Sequence, residues 1–219
     1  MLLDGRLMAA AGLCRKGVTI ADVGTDHALL ACYLAMNGAK EVYASDVREG
    51  PLEAARKTVA EYGVKNVHVV KSDGLREIPY ADDVVICGMG GELIARIVTE
   101  CTFTDKNTHF ILQPMTKADA LRRSLYQNGF EIDEERTARS AGRSYVVMLV
   151  RYTGVCSEPD EVFALIGKVA DPDYLRQTAQ KLLKRAQGME RGGEHEASRA
   201  LRDTAQKILE ESARVGGNI

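Results

Sequence analysis

Thr19-Ile-Ala-Asp-Val-Gly-Thr-Asp-His27, and further on Val42-Tyr-Ala-Ser-Asp46, are the stretches whose reading decides the fold. An apolar run enters a glycine turn and a helical stretch follows. A second short apolar run then ends in a carboxylate, Asp46, 22 residues after Gly24. This is the layout of a nucleotide-binding βαβ unit: the glycine turn lets a cofactor approach the backbone, and the distant acid hydrogen-bonds ribose hydroxyls. The loop is not G-x-G-x-x-G, because Asp26 stands where that fingerprint needs its second glycine. A carboxylate at position 26 would repel a pyrophosphate. A cofactor with ribose hydroxyls and a cationic, phosphate-free tail suits the loop, and S-adenosyl-L-methionine (SAM) has both.

Working outward, apolar periodicity and Gly/Pro punctuation predict strands over 18–23, 41–45, 67–71, 83–87 and 108–112. They alternate with helices over 27–37, 51–62 and 117–127, after a first helix over 3–13. Gly88-Met-Gly-Gly91 is expected to open the helix after the fourth strand, and Gln113-Pro114 to stop the fifth. Residues 130–136 and 145–152 then read as two successive strands with no helix between them. Strand–helix alternation implies a parallel doubly wound sheet, and the final strand pair implies an antiparallel hairpin at its edge. SAM-dependent Rossmann-like methyltransferases end in this way, unlike most dinucleotide dehydrogenases. The expected fold is therefore an α/β, Rossmann-like SAM-dependent methyltransferase sheet, domain 1–152. A linker over 153–159 leads to a second domain, 160–219, an antiparallel helical hairpin that is coiled-coil-like. Its first helix carries Leu175, Ala179, Leu182, Leu183 and Ala186 on one stripe, and its second Ala197, Leu201, Ala205, Ile208 and Leu209.

Composition narrows the class. The chain has 219 residues, of which 45% are hydrophobic, enough for a core, and its formal net charge of −2 by itself argues for no nucleic-acid partner. The five cysteines form no CxxC pair, so neither a disulfide framework nor a metal site is expected. No apolar run reaches the ~20 residues that cross a membrane. Charges in Met1-Leu-Leu-Asp-Gly-Arg6 break any signal-peptide core, so a cytoplasmic protein is expected, with no protein partner evident.

A SAM site must hold the methionine carboxylate and amine, anchor the ribose, receive the adenine and aim the methyl group. Asp22, Gly24 and Asp26 are placed for the first task, since ligands of open α/β sheets bind at the carboxyl ends of strands. Asp46 suits the ribose, and Asp73-Gly74 the adenine amine. Each acid alone also fits a cap or turn role; three at consecutive strand ends favour a site. Met89 and the glycines around it, Gly88 and Gly90, offer an adaptable apolar side chain and exposed backbone. A tight turn reads equally well there. His27 is a candidate base near neutral pH or a packing residue. Arg122, Arg123, Arg136, Arg139 and Arg143 are candidates for phosphate contact or for a solvated face, as are Lys181, Lys184 and Arg185.

Leu3-Asp-Gly-Arg-Leu7, Ile20-Ala-Asp-Val-Gly-Thr-Asp-His-Ala28, Ser72-Asp-Gly-Leu75, Cys87-Gly-Met-Gly-Gly91 and Leu112-Gln-Pro114, taken together, resemble the bacterial tRNA (adenine(22)-N1)-methyltransferases. The likeness spans about residues 1–152 and extends in shape to the C-terminal hairpin. It implies SAM as methyl donor, a D-arm adenosine of tRNA as acceptor, and a hairpin that helps to grip the tRNA. Carried over by position, Asp22, Gly24, Asp26, His27, Asp46, Asp73, Gly74, Gly88 and Gln113 would line the cofactor site, with Arg6 near its mouth. Asp26 and His27 are the catalytic candidates. Arg6, Met89, Gly90 and Arg143 are the candidates on the acceptor side. The rival readings are a methyltransferase for another RNA or a small molecule, an NAD-dependent oxidoreductase, and a non-catalytic tRNA-binding module.

Overall fold

The computed structural model describes residues 2–217. The chain divides into two compact units, one up to Glu158 and one from Pro159 onward. The first opens with α1 (Gly5–Ala11), followed by β1 (Thr19–Val23), α2 (Leu29–Met36), β2 (Glu41–Asp46), α3 (Glu49–Tyr62) and β3 (Val67–Lys71). It continues through β4 (Asp83–Gly90), α4 (Gly91–Thr99), β5 (His109–Thr116), α5 (Ala118–Gln127), β6 (Phe130–Ser140) and β7 (Arg143–Tyr152). The seven strands form one sheet in the order β3-β2-β1-β4-β5-β7-β6. The first five run parallel, and β7 and then β6 add antiparallel at the edge. The central strands are apolar on both faces because helices cover both; Ile20, Val84, Val85, Ile86, Ile111 and Leu112 are fully buried. Chain order reverses between β1 and β4, which opens a crevice beyond their carboxyl ends.

Four local differences from the sequence reading have physical causes. α2 starts at Leu29 because Asp26 and Ala28 both adopt left-handed backbone, with φ of 48° and 54°, so His27 sits in a turn. β4 and β5 continue through Gly88-Met89-Gly90 and Pro114 instead of ending before them. Their pairing is irregular there, with Met89 opposite Pro114 between two register shifts. A bulge is one of the few places where a sheet accepts a residue without an N–H. β6 and β7 are longer than expected and meet at Ala141-Gly142, whose φ values of 48° and 72° suit a two-residue hairpin turn. The polar stretch 137–144 carries no apolar alternation to announce this. The expected linker is tied into the first unit, where Ser157 N–H donates to the Tyr126 carbonyl at 2.9 Å and Gln127 donates to Glu158 at 2.7 Å.

The second unit contains α6 (Glu161–Ile166), α7 (Pro172–Arg191) and α8 (His195–Gly216). The short α6, capped by Asp160 accepting from Phe163 N–H at 2.9 Å, has too few residues to show a helical period. Leu175, Ala179, Leu182 and Ala186 of α7 are buried with Ala205 and Ile208 of α8. Ser198 Oγ donates to the Ala186 carbonyl and Ser212 Oγ to the Pro172 carbonyl, which ties the two antiparallel helices at both ends. Asn218 and Ile219, the last residues of the expected hairpin domain, lie outside the described residues. No helix among the described residues is long and apolar enough to cross a membrane.

Candidate active site

The turn after β1 is fixed from both sides. Gly24 and Thr25 both donate their N–H to the Ser45 carbonyl, at 2.8 and 2.9 Å, which locks the loop to the end of β2. Gly24 has φ 78°, the left-handed backbone that favours glycine, and the Met89 Cε lies 2.1 Å from where a Cβ would stand. Left-handed non-glycine residues cost of order 1 kcal/mol or more and collect at functional sites. Two of them, Asp26 and Ala28, fall in this turn. The outcome is an open pair: Asp26 Oδ2 and His27 Nε2 lie 3.6 Å apart, both mostly exposed.

Two further carboxylates sit deeper. Asp22, at the end of β1, is buried and accepts from Thr25 Oγ1 at 2.6 Å. Burial pushes its carboxyl up to about 6, and the Thr25 and Ala31 hydrogen bonds offset only part of that rise. Asp46 is 8% exposed, and its Oδ1 accepts from Arg48 N–H at 2.8 Å. Its Oδ2 has no partner among the described residues.

Between these groups lies a cavity of about 400 Å³ at the carboxyl ends of β1, β2 and β4. It brings together Arg6, Asp22, Gly24, Asp26, His27, Asp46, Gly88 and Met89 from the sequence-predicted set. It also takes in Thr25, Arg48 and Cys87, which sequence reasoning missed. Proximity in sequence to Asp26, Asp46 and Gly88 was the signal available for these three. Gln113 stands behind the wall, fully buried: its Oε1 accepts from Gly88 N–H at 3.2 Å and from Arg6 Nη1 at 3.1 Å.

The other predicted residues lie elsewhere. Asp73 does not line the cavity but pairs with Arg96 at 2.9 Å, and that bond holds its carboxyl below the usual range. Gly74 packs under Ile97, and Gly90 caps α4. Arg143 stands exposed beside the β6–β7 turn. Three of the arginines read as candidates for phosphate contact or a solvated face form ion pairs, one buried and two at or near the surface. Arg122 is fully buried against Glu135 at 2.8 Å, Arg123 meets Glu158, and Arg136 pairs with Glu134. His68 and His195 pair with Glu41 and Glu190, both on the surface. All five cysteines are free thiols, and no group of three or more metal-ligating side chains is present among the described residues.

Comparison with known proteins fits this geometry. Residues 3–148 match the family model described as a methyltransferase domain. The tRNA (adenine(22)-N(1))-methyltransferase of Bacillus subtilis (strain 168) is 30% identical over 190 residues, covering 84% of this chain and 79% of that protein. The chain belongs to the tRNA (adenine(22)-N1)-methyltransferase family. Among solved structures, the M1A22 tRNA methyltransferase of B. subtilis superposes with a TM-score of 0.81 at 26% identity, over 98% of both chains. A Streptococcus pneumoniae protein solved in complex with SAM superposes with a TM-score of 0.79 at 28% identity, over 95% of this chain and 100% of that one. Membership of the tRNA (adenine(22)-N1)-methyltransferase family therefore extends over the helical unit as well as the sheet.

Proposed function

We propose that this chain transfers the methyl group of SAM to N1 of adenosine 22 in tRNA. One observation carries the reading: a single cavity holds three carboxylates of graded exposure, with Asp22 buried, Asp46 nearly so and Asp26 open. Asp46 keeps one carboxylate oxygen without a protein partner, as a ribose anchor requires. Asp22 is the counter-charge for an ammonium group, and the Gly24 turn admits a ligand close to the backbone. These residues fit SAM, which when bound supplies an electrophilic methyl group on a sulfonium. Asp73, held by Arg96, stays outside the set.

Adenine N1 carries a lone pair and attacks without prior loss of a proton, so the residues need only align it and offset the positive charge that the ring gains. Asp26 is placed for that charge and for a hydrogen bond from the exocyclic amine. His27 stands beside it, with Nε2 3.6 Å from the Asp26 carboxylate. Gln113 fixes the Gly88 backbone from behind. N1 is engaged inside folded tRNA, so the base must leave its stack before it enters the cavity. A tRNA substrate puts this work in the cytoplasm.

Label transfer from SAM to undermethylated bacterial tRNA tests the proposal, with small-molecule acceptors in parallel. Transfer to tRNA is expected, and transfer to metabolites alone would refute it. Asp26→Ala is expected to lose turnover while keeping SAM affinity. A collapse of SAM affinity with an unchanged single-turnover rate would make Asp26 a cofactor ligand instead.

A further inference from the structure

We propose that Tyr145 and Asp4 are positioning residues that hold the Arg6 guanidinium as a flat wall on which the acceptor adenine stacks. The proposal rests on the tRNA-adenosine reading above and adds a surface for the target base.

Arg6 lines the cavity, and Tyr145, half-buried on β7, is not among its lining residues. The Arg6 Cζ lies 5.3 Å from the centre of the Tyr145 ring, inside the ~6 Å reach of a cation–π contact. The edge of the guanidinium is already engaged. Nε and Nη2 donate to Asp4 Oδ2 at 3.2 and 2.6 Å, and Nη1 donates to Gln113 Oε1 at 3.1 Å and to Met115 Sδ at 3.0 Å. An arginine has five N–H groups, and four are used here. A bidentate phosphate clamp needs two parallel free N–H groups, and Arg6 keeps only one. What remains for a ligand is the planar face, and nucleobases released from a helix stack on arginine planes.

The anchors of this plane are rigid. Asp4 caps α1, its Oδ1 accepting from the N–H groups of Arg6 and Leu7 at 2.9 and 3.0 Å. α1 sits so close to β6 that a Cβ on Gly5 would lie 2.2 Å from the Arg139 carbonyl oxygen. Gln113 joins the plane to Gly88, at the end of the strand that carries Met89. Asp4 balances the arginine charge, so the wall does not oppose the charge that the ring gains as it is methylated.

The test is single-turnover methylation of tRNA at saturating SAM, with SAM affinity measured by calorimetry on the same variants. Tyr145→Phe keeps the ring and is expected to stay within about twofold of the parent. Tyr145→Leu keeps apolar bulk but loses the ring, and is expected to slow about five- to thirtyfold, the span of a partly desolvated cation–π contact. SAM affinity should stay unchanged in both. Arg6→Lys, which keeps the charge and loses the plane, is expected to slow at least as much, and it carries the test if Tyr145→Leu does not fold. Parental rates in Tyr145→Leu or Arg6→Lys overturn the proposal, as does a fall in SAM affinity that matches the fall in rate. A parent chain that transfers no methyl group to tRNA sinks the functional reading and this proposal with it.

Discussion

Asp46 and Asp22 are both buried carboxylates at strand ends, yet their surroundings give them different tasks. Asp46 already accepts an N–H from Arg48 and presents its second oxygen to the cavity. Loss of a charge-assisted contact there should weaken SAM binding by about 1.5–3 kcal/mol, roughly 10- to 150-fold. Calorimetry on a folded Asp46→Ala variant with parental affinity would remove Asp46 from the site. Asp22 has a pKa raised by burial from 3.8 to about 6. A raised pKa favours the protonated native form, so this stabilising contribution is complete below about pH 4 and lost as pH rises through about 6. The loss amounts to about 3 kcal/mol by linkage. A bound ammonium reverses the preference by favouring the ionised carboxylate. SAM affinity should therefore be level between about pH 6 and the loss of the ammonium proton near pH 8, and fall up to about tenfold per unit below 6. Asp22→Asn should abolish that dependence; an identical pH profile in the variant would show that another group titrates. These carboxylates were legible in the sequence because spacing from Gly24 fixes where strands end. The isolation of Asp73 was not, because Arg96 reaches it from α4, a contact that only the folded chain makes.

At the scale of elements, close approaches decide which glycines are needed. A Cβ on Gly91 would lie 2.2 Å from the Lys117 carbonyl oxygen, so α4 can start here only with glycine. Gly91→Ala should destabilise the fold by about 1–3 kcal/mol despite the better helix propensity of alanine. Gly188, in α7 with nothing within 4 Å of a Cβ, should instead gain about 0.5–1 kcal/mol as alanine. Urea denaturation of the two variants checks both signs, and a stabilised Gly91→Ala would refute the close-packing account. Apolar runs and their Gly/Pro boundaries located the parallel strands and most helices. They failed where backbone geometry overrides the residue code. Pro114 continues a strand because the pairing is irregular opposite Met89. Ala28 takes a glycine-like conformation because the loop is pinned at Ser45. Arg122 looked like a surface cation, and only the packing of α5 on β6 shows it as one half of a buried ion pair.

At the scale of the whole molecule, the sheet and every cavity-lining residue lie in the unit that ends at Glu158. A chain cut after Glu158 should keep SAM affinity within about threefold of the full chain and lose tRNA affinity and methylation. Equal tRNA affinity of cut and full chains across a salt series would assign the helical unit to stability or assembly instead. The balance of 11 basic and 11 acidic residues from Arg151 onward gave no electrostatic signal of an RNA role; that expectation came from the family resemblance. The central claim, that the cavity methylates N1 of one tRNA adenosine, is tested most directly by mass-spectrometric mapping of undermethylated bacterial tRNA after incubation with the chain and SAM. 1-Methyladenosine at nucleotide 22, with no other new modification, is the expected result. Methylation of a different base or atom, or none with SAM bound, would contradict it.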